Sequence, residues 1–124
     1  MLIKLILIFL GGGLGSCARF LIVYLNPNMI KTIPIATLIA NALASFVLGI
    51  YFYNFKTNPN EAWIKYFIML GFCGGLSTFS TFSGELMEYI WNHQFWHFFI
   101  YIILSISCCL ICFYFGFEIK RTLN

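Results

Sequence analysis

The run from Gly71 to Glu85 carries the densest chemistry of the chain. Gly74 and Gly75 are followed by Ser77, Thr78, Ser80, Thr81 and Ser83, interleaved with Phe79 and Phe82 and closed by the carboxylate of Glu85. Five hydroxyls fall within the seven residues 77–83. Hydroxyls can donate to an ion and replace part of its water shell. Phe79 and Phe82 are three apart and so share a helix face. The positive edge of a phenyl ring can meet an anion weakly, without trapping it. On spacing alone the two rings would be core or lipid contacts; the flanking hydroxyls give them a second reading. The run also lies inside an apolar segment long enough to cross a bilayer. Gly74-Gly75 weakens a helix where it stands. Broken helices at membrane depth are tolerated only where the freed backbone faces protein, water or an ion, and such breaks mark ion and substrate sites in transport proteins.

Other segments add polar groups at helical spacing. Thr37, Asn41, Ser45 and Gly49 are each four apart, beside a stripe of Ala36, Ala40 and Ala44. An amide in hydrocarbon must find partners, so Asn41 either joins helices or turns its N–H donors toward an anion. Gly11, Gly15 and Arg19 share a face, with Gly12 and Ser16 beside them; small residues four apart let helices approach closely. A charge in a span is costly, so Arg19 either snorkels to the interface or attracts anions in a wet vestibule. His97, Tyr101, Ser105 and Cys109 are again four apart. They form either a polar track or serines that bond back to their own helix. His93 and His97 have metal-like spacing but no further strong ligand. Cys17, Cys73, Cys108, Cys109 and Cys112 all lie in apolar segments. Cys109 and Cys112 have no second pair to complete a metal or redox site, so all five read as small buried hydrophobes. Glu61 and Glu118 stand at span ends, and Glu85 and Glu88 in the last turns of the third span. The groups expected near the membrane centre are therefore mostly donors suited to an anion.

These side chains need elements to hold them, and the composition points to membrane helices. Of 124 residues 61% are hydrophobic and 9% charged, against roughly 25% charged in soluble domains. The net charge of +3 is spread thinly, which argues against a nucleic-acid partner. The expected architecture is all-α and integral to the membrane, a single domain over 1–124. Its four spans are expected at about 2–25, 33–55, 63–90 and 95–117, the third broken mid-membrane near Gly74-Gly75. Each exceeds the roughly 20 residues needed to cross about 30 Å of hydrocarbon. Turns are expected at Asn26-Pro27-Asn28, at Thr57–Glu61 and at Asn92–Gln94. Trp63, Trp91 and Trp96 lie at span ends, where interfacial aromatics belong. The first apolar stretch runs on to Leu25, too long for a cleaved signal core, and is expected to be retained. Four spans put Lys4, Lys56, Lys65, Lys120 and Arg121 at one side, with Lys31 and Arg19 toward the other. The positive-inside rule then favours cytoplasmic termini.

The three motifs together resemble the Fluc (CrcB) fluoride channels. They are Gly12-Gly13 with Gly15 and Arg19; Thr37 with Asn41, Ser45, Phe46 and Gly49; and the run from Gly71 to Glu85. Order, spacing and four-span length all match over essentially the whole chain. The third motif is the specific one. The resemblance implies a passive fluoride channel of the inner (plasma) membrane that relieves fluoride toxicity. It implies an antiparallel, dual-topology dimer with two pores, and a structural sodium ion (Na+) at the dimer centre. The backbone carbonyls of Gly74 and Ser77 would hold that ion. Phe79 and Phe82 would turn ring edges to the fluoride path and Asn41 would donate its amide. Thr37, Ser80, Thr81, Tyr101 and Ser105 would lie along the polar route, with Arg19 near the vestibule and Glu85 in register with the family's acidic position. Ser77 stands where the family usually has threonine, Phe20 where it has tyrosine and Ala44 where it has glycine. None of these changes removes an implied ion contact. Beside fluoride, sodium and membrane lipid, the expected partner is a second copy of the chain. The lopsided basic residues also admit a heterodimer with an oppositely oriented paralogue.

Competing readings fit less of the sequence. A small multidrug exporter would need a glutamate midway along the first span, where this chain has glycines and Arg19. A scaffold of packed helices does not explain a hydroxyl-rich helix break. An enzyme would need a base beside one of the serines, and no histidine lies at matching depth.

Overall fold

The computed structural model describes residues 1–25, 33–57, 61 and 63–123. Its elements are α1 (Leu2–Leu25), α2 (Ile35–Thr57), a wide π-helical segment (Ile64–Cys73), a single α turn α3 (Gly74–Leu76), α4 (Phe79–Trp91) and α5 (Phe95–Thr122). Among the described residues four stretches are long and apolar enough to cross a membrane: Leu2–Leu25, Ile35–Thr57, Ile64–Trp91 and Phe95–Thr122. The turn expected at Asn26-Pro27-Asn28, Lys31, and the middle of the Thr57–Glu61 turn lie outside the described residues.

The observed spans depart from the expected ones at their ends. Pro34 lacks a backbone N–H and precedes the first residue of α2; its carbonyl accepts from Leu38 at 3.2 Å. Pro fits only the first positions of a helix, so the helix starts at Ile35 and not at 33. α2 runs on to Thr57, whose hydroxyl donates to the Tyr53 and Asn54 carbonyls. α5 runs on to Thr122, where Arg121 pairs with Glu118 at 2.9 Å and basic residues meet the negative end of the helix. Its 28 residues would extend about 42 Å, beyond the hydrocarbon core. The turn after α4 closes as expected. His93 takes a left-handed φ of 56°, while Gln94 N–H donates to the Tyr89 carbonyl and His93 N–H to the Ile90 carbonyl.

Two seams hold the helices together, and neither joins neighbours in sequence. α1 packs chiefly against the third span and α2 against α5. In the first seam, side chains at Gly11 and Gly15 would run into the Phe67 and Phe72 carbonyls. In the second, Gly49 faces the Phe113 carbonyl and Gly116 the Phe46 carbonyl, again with no room for a side chain. The stripe of small residues on α2 is the inner core. Ala40 and Ala44 are buried with Leu76, and Ala18, Ile22 and Phe72 pack around them.

Ring contacts fix which ends lie together. Lys4 sits over the Tyr66 ring at 5.0 Å, Lys65 over Phe55 at 5.6 Å, and Tyr53 meets Phe117 at 5.6 Å. The start of α1, the end of α2, the start of the third span and the end of α5 therefore share one end of the bundle. This is the clustering of basic residues read from the sequence.

The seams predict a contrast between glycines. Gly49→Ala should destabilise the chain by about 1–3 kcal/mol through overpacking. Gly13, with nothing within 4 Å of an added methyl, should tolerate alanine without loss. Thermal unfolding of both variants in detergent checks this; equal melting temperatures would contradict the seam.

Candidate functional site

The third span does break, but not at its glycines. Gly74 stays helical, with φ −65° and ψ −35°. The chain opens at Ser77 (φ −76°, ψ 155°) and Thr78 (φ −149°, ψ 112°). The expected break at Gly74-Gly75 is thus displaced by two to three residues. The reason is packing: Gly75 lies against the Gly12 carbonyl with no space for a Cβ, so it serves helix contact and not helix rupture. A π-helix is unfavourable in long runs, and nothing in the sequence reading anticipated the ten π-wound residues Ile64–Cys73.

Asn41 closes the break. Its Oδ1 accepts from Thr78 N–H at 2.7 Å, and its Nδ2 donates to the Thr78 carbonyl at 3.4 Å. The side-chain amide thus stands in for the missing backbone partner on both sides of one residue. Thr78 then starts α4. Its Oγ1 accepts from Thr81 N–H at 3.2 Å and donates to Thr81 Oγ1 at 2.9 Å, the usual work of a threonine N-cap. Ser80 Oγ lies 3.4 Å from the same oxygen.

These bonds release two carbonyls. In an unbroken α-helix Thr78 N–H would bond the Gly74 carbonyl, and Thr81 N–H the Ser77 carbonyl. Both donors are diverted, to Asn41 Oδ1 and Thr78 Oγ1. The Ser77 carbonyl receives only a long contact, 3.5 Å, from Arg19. The carbonyls of Gly74 and Ser77 are therefore available to a hard cation, which takes oxygen ligands. The Ser77 hydroxyl donates back to the Cys73 carbonyl at 2.8 Å.

Thr78 belongs to the walls of two hollows beside the break. The larger, about 380 Å³, is lined by Asn41, Ser45, Phe79, Phe82, Ser105 and Cys109 among others. The second, about 340 Å³, holds Arg19, Thr37 and Thr81 with Ser16. Arg19 thus turns inward to the hollow and the Ser77 carbonyl. Phe79 is 80% exposed within one chain. Its ring lies 6.0 Å from Phe82, which lies 5.1 Å from Tyr101. The four-residue track on α5 is real as far as Ser105. Tyr101 is fully buried, and Ser105 one turn on is buried beside it and does not bond back to its own helix.

Glu85 ties three helices together. Its Oε1 accepts from the Thr37 hydroxyl at 2.6 Å and its Oε2 from the Tyr101 hydroxyl at 2.7 Å. Thr37 is on α2, Tyr101 on α5 and Glu85 on α4. Hydrogen bonds to a charged group are the stronger kind, so this strap fixes the angle at which α4 leaves the break.

Three wall residues, Thr78, Ser45 and Cys109, stand in the sequence patterns but outside the residues that the resemblance assigns to the route. Thr78 was one hydroxyl among five, and its cue was a threonine three residues before another at a helix start. Ser45 and Cys109 each stand four residues beyond a recognised member, Asn41 and Ser105. The reading of every cysteine as a buried hydrophobe holds only for Cys73. Cys17 is exposed and Cys108, Cys109 and Cys112 are half-buried, because the outer faces of α1 and α5 have no cover within one chain. Among the described residues no three His, Cys, Asp or Glu side chains come together.

Residues 6–117 match the family described as CrcB-like protein, Camphor Resistance (CrcB). The chain is 40% identical over 119 residues to the fluoride-specific ion channel FluC of Pyrococcus horikoshii, covering 93% of this chain and 94% of that one. It is 36% identical over 118 residues to FluC of Flavobacterium psychrophilum, covering 94% and 95%. It is 46% identical over 89 residues to FluC of Escherichia coli, covering 70% and 69%.

The clamp at the break yields its own expectation. Asn41→Leu leaves Thr78 N–H and C=O without partners, at roughly 1–3 kcal/mol for each buried group. Thermal unfolding should therefore fall well below that of Ser45→Ala. An Asn41→Leu protein as stable as the parent would remove the clamp.

Proposed function

The chain belongs to the CrcB (FluC) family of fluoride-specific ion channels, and from that premise we propose that the two hollows beside Thr78 form its fluoride route. It is a multi-pass membrane protein and a channel, not an enzyme. The observation that carries the route is the shared wall: one residue, held open by Asn41, lines both hollows.

The ion's path follows from its chemistry. Fluoride is small and strongly hydrated, so losing water requires many close donors. Conduction also requires that no donor set bind too tightly. Arg19 raises the local concentration of anions at the hollow with Thr37 and Thr81. The hydroxyls of Thr81, Ser80 and Thr78 take over from water. Ring edges of Phe79 and Phe82 then meet the ion weakly. The second N–H of Asn41 and the hydroxyl of Ser105 supply donors in the larger hollow. Tyr101 and Glu85 act on this route by position: the strap from Thr37 through Glu85 to Tyr101 holds α4, and so the rings, in place. Efflux is passive and runs down the fluoride gradient.

The working unit in this reading is an antiparallel dimer with two such routes. The 80% exposure of Phe79 supports it, since a ring at a pore needs a second wall. The released carbonyls of Gly74 and Ser77 would hold Na+ at the dimer centre, where the cation supplies fixed positive charge that joins the two broken spans. Each chain would contribute both carbonyls.

Fluoride efflux from liposomes, read with a fluoride electrode beside parallel chloride efflux, tests the reading. Fast fluoride release with little chloride release is expected. Phe79→Ile and Phe82→Ile should each lower fluoride release while the protein remains folded; unchanged release in both would sink the ring-edge route. A tagged and an untagged copy expressed together, with no other relative, should co-purify as an active homodimer. Activity that appears only with an oppositely oriented paralogue would replace the homodimer with a heterodimer.

A further inference from the structure

Basic and aromatic residues converge where α1 and the third span begin. The Lys4 ammonium lies over the Tyr66 ring at 5.0 Å, and the Lys65 ammonium lies over the same ring at 5.6 Å. Lys65 also lies over Phe55, from the end of α2, at 5.6 Å. Two like charges are thus gathered at one ring, although like charges repel. A ring face compensates a cation only in part. No carboxylate completes the compensation. Among the described residues the one ion pair is Arg121 with Glu118, so Glu61, one turn before Lys65, pairs with neither lysine. Both lysines are exposed. The cluster therefore presents unneutralised positive charge on an aromatic base, and it lies in neither wall of the two hollows beside the break.

Position decides which anion meets this charge. Lys4 lies in the first turn of α1 and Lys65 in the first turn of the third span. Spans of this length put their ends at the level of the lipid headgroups. Trp63, two residues before Lys65, is half exposed and meets the Tyr51 ring at 6.0 Å, and such aromatics belong at a membrane interface. Basic pockets between transmembrane helices bind anionic headgroups. We propose that Lys4, Lys65 and Tyr66 form a binding site for the headgroup phosphate of one anionic phospholipid. The two ammonium groups take the phosphate oxygens, and the side chain that gathers them adds a hydroxyl donor. Further along the same two elements Leu5, Phe9 and Leu70 are exposed, which leaves apolar surface for the acyl chains. A zwitterionic lipid carries its own cation beside the phosphate and gains less from two lysines. A lipid bound here touches both partners of the first glycine seam and holds their ends together. The site is independent of the fluoride route.

Native mass spectrometry tests the site on the intact protein, purified in a neutral detergent and titrated with dioctanoyl phosphatidylglycerol or dioctanoyl phosphatidylcholine. The parent should bind one phosphatidylglycerol per chain, several-fold more tightly than phosphatidylcholine. Lys4→Gln combined with Lys65→Gln should weaken phosphatidylglycerol binding about tenfold, in the range of exposed charge pairs, and abolish the preference. Lys56→Gln combined with Lys120→Gln removes the same charge from the same end of the bundle and should leave the affinity within about twofold. Equal binding of the two lipids by the parent overturns the site. Equal loss in the two double variants overturns it as well, since diffuse charge would then suffice. Glycerol phosphate separates a lipid from a soluble phosphate: it should not displace phosphatidylglycerol, and displacement at matching concentration overturns the lipid in favour of a soluble ligand. Thermal unfolding gives a second readout. Phosphatidylglycerol should raise the melting temperature of the parent and not that of the Lys4, Lys65 double variant; an equal rise in both overturns the proposal.

Discussion

Everything at the centre of this chain depends on one residue's backbone and one amide. In a bilayer an opened helix has no water to satisfy its freed groups. Thr78 N–H and C=O would otherwise stand open in the third span, and Asn41 meets both. The amide has the same donor and acceptor as a peptide group, so it substitutes for a strand partner one residue long. With that substitution in place the span can open without aggregation or local collapse. Without it the cheapest answer is a continuous helix, and a continuous helix would have no hollows and no released carbonyls.

The rest of the site is arranged around that opening. Thr78 begins α4 by capping it, and so takes Thr81 N–H from the Ser77 carbonyl. Glu85, two turns further on, anchors α4 to Thr37 and Tyr101. The clamp fixes where the helix restarts and the strap fixes its direction. The rings of Phe79 and Phe82 lie between these two fixed points, which is how side chains with no polar anchor of their own acquire a defined place. Their support comes from the clamp and the strap on either side of them.

Much of this was legible in the sequence, for physical reasons that differ by residue. Four spans follow from apolar length, and the contact of Gly11 and Gly15 with a neighbouring helix follows from four-residue spacing. The polar members were findable because hydroxyls, an amide and a carboxylate are out of place in hydrocarbon. The break was misplaced because glycine has two uses, flexibility and close approach, and spacing does not say which applies. At Gly75 the Gly12 carbonyl decides for close approach. The π-wound stretch was invisible because its side chains, from Ile64 to Cys73, are those of any apolar helix.

The two glycine seams bear on how the chain is made. Gly11 and Gly15 meet Phe67 and Phe72, and Gly49 meets Phe113, so each helix finds its mate more than fifty residues later. α1 and α2 touch each other only slightly. During synthesis the first two helices must therefore enter the bilayer as separate, unmated cylinders, each carrying an open glycine groove to lipid. The third helix supplies a mate for the first, and the last supplies one for the second. The two pairings interleave, so neither half of the chain is a folding unit. The first seam can close once the third helix is in the bilayer, and the second only when α5 has followed it.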